Sequence, residues 1–103
     1  MFNAIKNLFS ASAPTDYSEL IKQGAIILDV RSKGEFQSGH IKGSINIPVD
    51  VLSGNLNKLK KDKPIITCCA SGMRSASAKS ILQSNGFANV HNGGGWMSLQ
   101  DKM

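Results

Sequence analysis

The residues best equipped for chemistry lie together at positions 67–75, TCCASGMRS. Cysteine offers a nucleophilic sulfur, and arginine offers a fixed positive charge that grips an oxyanion through two parallel hydrogen bonds. The stretch can be counted in two ways. From Cys68 it reads C-x5-R-S, a spacing that suits phosphate chemistry; from Cys69 it reads C-x4-R, a tighter loop for a different anion.

The thiolate is the attacking form, and a free thiol loses its proton only near pH 8.5 or so. Amides in the first turn of a helix lack intrahelical partners and favour negative charge. A loop wrapped around the sulfur would aim the amides of Ala70, Ser71, Gly72, Met73, Arg74 and Ser75 at it as a nest. Gly72 permits a left-handed turn, the small Ala70 and Ser71 avoid crowding, and Arg74 adds the cation. Such a site needs no general base, which fits a chain whose two histidines, His40 and His91, are both remote from the loop in sequence. Adjacent cysteines and two distant histidines do not have zinc-site spacing, so no metal is expected. Neighbouring residues on a strand point to opposite faces, which argues against a vicinal disulfide. Packing of both cysteines in a core would leave the glycine and the arginine unexplained.

The elements that would position this loop follow from periodicity and punctuation. TDYSELIKQG reads as a helix, with Asp16 as cap, Glu19 reaching back to it, and Gly24 as stop. AIILDV is a continuous apolar run, expected as a strand buried on both faces. RSKGEFQSGH mixes turn residues with a short helix, GSINIPV is a short strand ended by Pro48, and NLNKLKK holds a helical turn or two. PIITCC is a second buried strand. It leads through the loop into a helix carrying Ala78, Ile81 and Leu82 at helical spacing and ending at Gly86. FANVHN is a last strand before Gly93, Gly94, Gly95 and Trp96, where a turn and an anchoring indole are expected. Alternating strands and helices mean βαβ units, with ligands bound at the carboxyl ends of the strands, where the loop falls.

Composition narrows the setting. The 103 residues suffice for one domain, and 41% apolar with 18% charged residues describes a compact folded chain. The net charge of +5 favours small anions, but no aromatic interleaving or motif points to nucleic acid. The basic run at 58–63, KLKKDK, reads as a solvated loop. No apolar run reaches the roughly 18 residues a membrane span needs. In residues 1–14, Phe2, Ile5, Leu8 and Phe9 share one helical face, giving an amphipathic segment and short linker before a single domain at 15–103. Its apolar residues are too interrupted for a signal peptide, so a cytoplasmic protein is expected.

Three blocks, ILDVRSKGEFQSGHIKGSINIP, CASGMRSASA and NGFANVHNGGGW, together resemble the rhodanese-like family of sulfurtransferases in its small single-domain form, over residues 16–96. The resemblance implies a five-stranded parallel sheet flanked by helices on both faces and a six-residue active loop beginning with the catalytic cysteine. Related phosphatases of that fold have a loop one residue longer, which Cys68 would fit. Register favours Cys69, because PIITC fills the family's strand and CASGMRS matches a common sulfurtransferase loop; Cys68 stands where many relatives carry an apolar residue. The implied activity is transfer of sulfur from a thiosulfate-like donor through a Cys69 persulfide to cyanide or a thiol, with no cofactor. Asp29 and Arg31 are expected as a supporting polar network, pairing with Arg74 and Glu35 respectively. His40 is expected to be structural and Phe36 to lie in the core. A phosphatase or arsenate chemistry from Cys68, and a non-catalytic sulfur-carrier or interaction module, are the alternatives.

Overall fold

A computed structural model describes residues 15–103; the amphipathic segment and linker expected at 1–14 lie outside the described residues. Helix α1 (Tyr17–Lys22) is capped by the Asp16 side chain, which accepts from the Glu19 amide. The Ser18 hydroxyl donates to the same Asp16 carboxylate oxygen. Strand β1 (Ile26–Asp29), helix α2 (Lys33–Ser38) and the two-residue strand β2 (Ile45–Asn46) follow. Two 3-10 turns, Val49–Gly54 and Leu56–Lys58, lead to β3 (Ile65–Cys69), α3 (Met73–Ser84), β4 (Val90–Gly95) and α4 (Trp96–Asp101).

All strands are parallel, in the order β2-β1-β3-β4. Four strands, not five, are present among the described residues. The expectation of a fifth came from the family resemblance; only four β-rich apolar runs occur between residues 15 and 103.

Two apolar clusters cover the two faces of the sheet. On one face Leu28, Val30, Ile65 and Cys69 pack under Ala78 and Leu82 of α3. On the other, Ile27, Ile66 and Cys68 pack against Leu99 of α4 and the half-buried Leu20 and Ile21 of α1. The alternation of β3 therefore sends the adjacent cysteines to opposite faces. Helix α3 approaches its face closely because its buried positions begin with Ser75 and Ala78.

The glycine run is not the turn expected from the sequence. It forms the end of β4, paired to β3 through a bulge: Thr67 faces Asn92 and Cys69 faces Gly95, so Cys68 alone is matched by Gly93 and Gly94. Gly94 takes the positive φ of +78° that this bulge needs. A Cβ at Gly93 would stand 2.8 Å from the Thr67 carbonyl oxygen, and one at Gly95 2.8 Å from that of Ala70. The run thus lets β4 lie against the loop backbone. Trp96 does anchor α4, packing on the α1 side of the sheet.

Candidate active site

Strand β3 ends at Cys69, and α3 begins three residues beyond Ala70, so the loop between them turns over the cysteine sulfur. Gly72 makes that turn, with φ +108°, and caps the helix. Its amide donates to Cys69 Sγ at 2.9 Å, and the Ser75 amide donates to the same sulfur at 3.3 Å. Of the six amides considered above, these two are the sulfur's donors. Both donors are backbone N–H groups aimed at the sulfur, where they would face any negative charge that a reaction places there.

A hydrogen-bond chain running from the buried Thr67 and Ser75 out to Asn92 fixes the Ser75 amide. The Ser75 hydroxyl donates to Asn92 Oδ1 at 2.6 Å, and Thr67 Oγ1 lies 2.7 Å from the Ser75 oxygen. Asn92 Oδ1 also accepts from the Gly94 amide. Helix, bulged strand and central strand are thereby tied to the sulfur's surroundings. Thr67 and Asn92 were missed by sequence reasoning, because ordinary polar residues on a strand carry no local signal of such a role.

Cys68 has a different environment. It is fully buried, and that burial, reinforced by the nearby Asp29 carboxylate, pushes its thiol up to about 12. Iodoacetamide at pH 8 should therefore leave Cys68 unmodified in the folded protein, as read by peptide mass mapping. Alkylation of Cys68 before unfolding would contradict this placement.

The four charges around the loop pair differently from expectation. Asp29 takes Arg31, not Arg74: Arg31 Nη2 lies 2.7 Å from Asp29 Oδ2 and Nε 3.0 Å from Oδ1, with both residues buried. Arg31 also donates to the Gly39 and Glu35 carbonyl oxygens and lies 4.8 Å from the Trp96 ring centroid. Glu35 takes Arg74, through Nη1 to Oε1 at 2.7 Å and Nη2 to Oε2 at 3.0 Å. The reason is local. Arg31 lies two residues past Asp29 on the same strand end and folds back on it, while Arg74 reaches across from α3 to α2.

Glu35 has a second duty. Its carboxylate accepts from the Ser32 amide, and its amide donates to the Ser32 hydroxyl, a full capping box on α2. The spacing Ser-x-x-Glu was the available sequence signal for this helix start. Arg74 first, then Ser32, lowers the Glu35 carboxyl to about 2. What the pair contributes is present in full above the ordinary value near 4.5 and is lost as pH falls through about 2, so Glu35 remains ionised across neutral pH.

A cleft of about 420 Å³ opens beside Arg74, between the start of α2 and the first 3-10 turn. Val30, Pro48, Val49 and Val51 form apolar walls, and Lys33, Asp50 and Arg74 are the charged lining residues. Val30 belongs to the same cluster as Cys69, which sets the cleft on that face of the sheet. The loop's Ala70, Ser71 and Met73 are exposed. His40 stacks on Phe36 with ring centroids 3.7 Å apart and bonds the Phe36 carbonyl oxygen, a structural role as expected. Phe36, expected in the core, is half-buried under that histidine instead. Among the described residues no cluster of potential metal ligands occurs, and no helix is long and apolar enough to cross a membrane.

A parallel sheet with helices on both faces and a cysteine cradled at a strand's carboxyl end defines a class, and comparison with known proteins agrees with it. Residues 13–102 match the family described as Rhodanese-like domain, and the chain belongs to that family. It is 33% identical over 91 residues to the thiosulfate sulfurtransferase GlpE of Pseudomonas savastanoi pv. phaseolicola, covering 88% of this chain and 86% of that protein. It is 38% identical over 68 residues to the uncharacterized protein YqhL of Bacillus subtilis, covering 66% of this chain and 54% of YqhL. The chain thus spans about half the length of YqhL and, at 50%, of YibN of Escherichia coli. Among solved structures, the human single-domain sulfurtransferase TSTD1 superposes with a TM-score of 0.75 at 28% identity, over 89% of this chain and 99% of that one.

Proposed function

We propose that this domain is a sulfurtransferase in which Cys69 carries the sulfur between donor and acceptor. The observation that carries the reading is the position of Cys69 Sγ, which accepts two loop amides at the carboxyl end of the central strand. Attack of the Cys69 thiolate on the outer sulfur of thiosulfate forms a new S–S bond and breaks the donor's own. Sulfite leaves with the electron pair. The persulfide anion inherits the amide donors and is held by the same loop. An acceptor thiolate or cyanide then attacks the outer sulfur, and Cys69 departs as thiolate, ready for another cycle.

Cys68 suits no such role: it faces the α1 side and is buried beside a carboxylate. That placement weighs against phosphate or arsenate chemistry from the longer count.

The test is intact mass after incubation with thiosulfate. The expected result is a gain of one sulfur atom that cyanide removes. No gain, with both thiols shown to be reduced, would sink thiosulfate as donor. A gain that neither cyanide nor a thiol discharges would identify a carrier rather than an enzyme.

A further inference from the structure

The arginine available to a donor's oxygens is already engaged. Both terminal nitrogens of Arg74 lie on the Glu35 carboxylate, at 2.7 and 3.0 Å, so the guanidinium faces the loop with its charge balanced. Lys33 and Asp50 line the cleft wall with opposite charges. Thiosulfate brings two negative charges to a cysteine thiolate that already carries one. A site built to favour that dianion would leave a cation unpaired at the loop. Here the residue beside the loop is neutralised, and the adjoining space is walled by Val30, Pro48, Val49 and Val51.

Resting on the sulfurtransferase reading, we propose that Glu35 sets donor specificity: by holding Arg74 paired, it turns the site away from small sulfur dianions and toward singly charged donors with a carbon body seated in the cleft. For an organic thiosulfonate the step balances as before. The Cys69 thiolate bonds to the terminal sulfur, the donor's S–S bond breaks, and a sulfinate leaves with the electron pair.

Benzenethiosulfonate and thiosulfate are the probes, each with cyanide as acceptor. In the wild-type protein kcat/KM for benzenethiosulfonate should exceed that for thiosulfate by about tenfold, the worth of seating a ring against aliphatic walls. Glu35→Gln keeps the capping box, which glutamine also serves, but frees Arg74. It should lower KM for thiosulfate by roughly three- to fivefold, the scale of an exposed ion pair, and change that for benzenethiosulfonate by less than half as much. Glu35→Asp, which keeps the charge, should retain the wild-type ratio of the two donors. A preference for thiosulfate in the wild type would overturn the proposal. So would equal changes for both donors in Glu35→Gln, which would reduce Glu35 to a structural part of the loop. Sulfur uptake by Cys69, read by intact mass with each donor, separates the two claims: uptake with the wrong preference overturns only the specificity, and uptake from neither donor overturns both.

Discussion

Replacing Cys69 with serine should lower sulfur transfer from thiosulfate to cyanide by a factor on the order of 10⁴ or more, as loss of a covalent nucleophile does. Serine fits the space and can accept the same Gly72 and Ser75 amides. The fold should therefore survive while the sulfur that forms and breaks the S–S bond is gone. Cys68→Ser makes the contrast. Its hydroxyl would sit among Ile27, Ile66 and Leu99, at a cost of about 1 kcal/mol, and turnover should stay within about threefold of wild type. The two variants differ by one position in the chain and by one face of the sheet. A Cys69→Ser protein with substantial turnover would remove the basis of the proposed mechanism.

Asp29→Asn should destabilise the domain by about 3 kcal/mol, because it leaves the Arg31 charge without its counter-ion in a buried setting. Asp29 is fully buried and Arg31 is 4% exposed. The isosteric change preserves shape and isolates the charge. The Asp29 carboxylate also accepts the Arg31 amide, an acceptor that asparagine can still offer. For a domain of this size the melting temperature should fall by at least about 10 °C. Replacing the pair together, as Asp29→Leu with Arg31→Met, should cost less than the single change, since no orphan charge remains. Denaturant titration of the three forms measures this. A single variant within about 0.5 kcal/mol of wild type would mean that water reaches and solvates Arg31.

The expected strands emerged where local pattern sufficed. The runs containing Ile26, Ile27 and Leu28, and Ile65 and Ile66, are apolar enough to announce a sheet covered on both sides, and Gly24 and Gly86 marked helix ends through their positive φ. The loop at 68–74 stood out because cysteine, glycine and arginine each answer a specific chemical need, but the choice of Cys69 over Cys68 rested on the register of the family resemblance. Pairing was not legible. Asp29, Arg31, Glu35 and Arg74 offer two anions and two cations, and Arg74 lies 39 residues from Glu35. Only the placement of α2 against α3 decides who meets whom. The glycines at 93–95 misled because a bulged strand and a turn have the same composition; the difference lies in what a Cβ would strike. The first 3-10 turn, Val49–Gly54, escaped because a single short turn has no helical period to read. The fifth strand was borrowed from relatives, not read from any run among residues 15–103.

Cys69, and not its neighbour, should take up the sulfur. Intact mass after exposure to thiosulfate and removal of excess donor, on wild type, Cys68→Ser and Cys69→Ser side by side, tests it most directly. A gain of one sulfur is expected in the first two and none in the third. A gain that persists in Cys69→Ser and disappears in Cys68→Ser would contradict it.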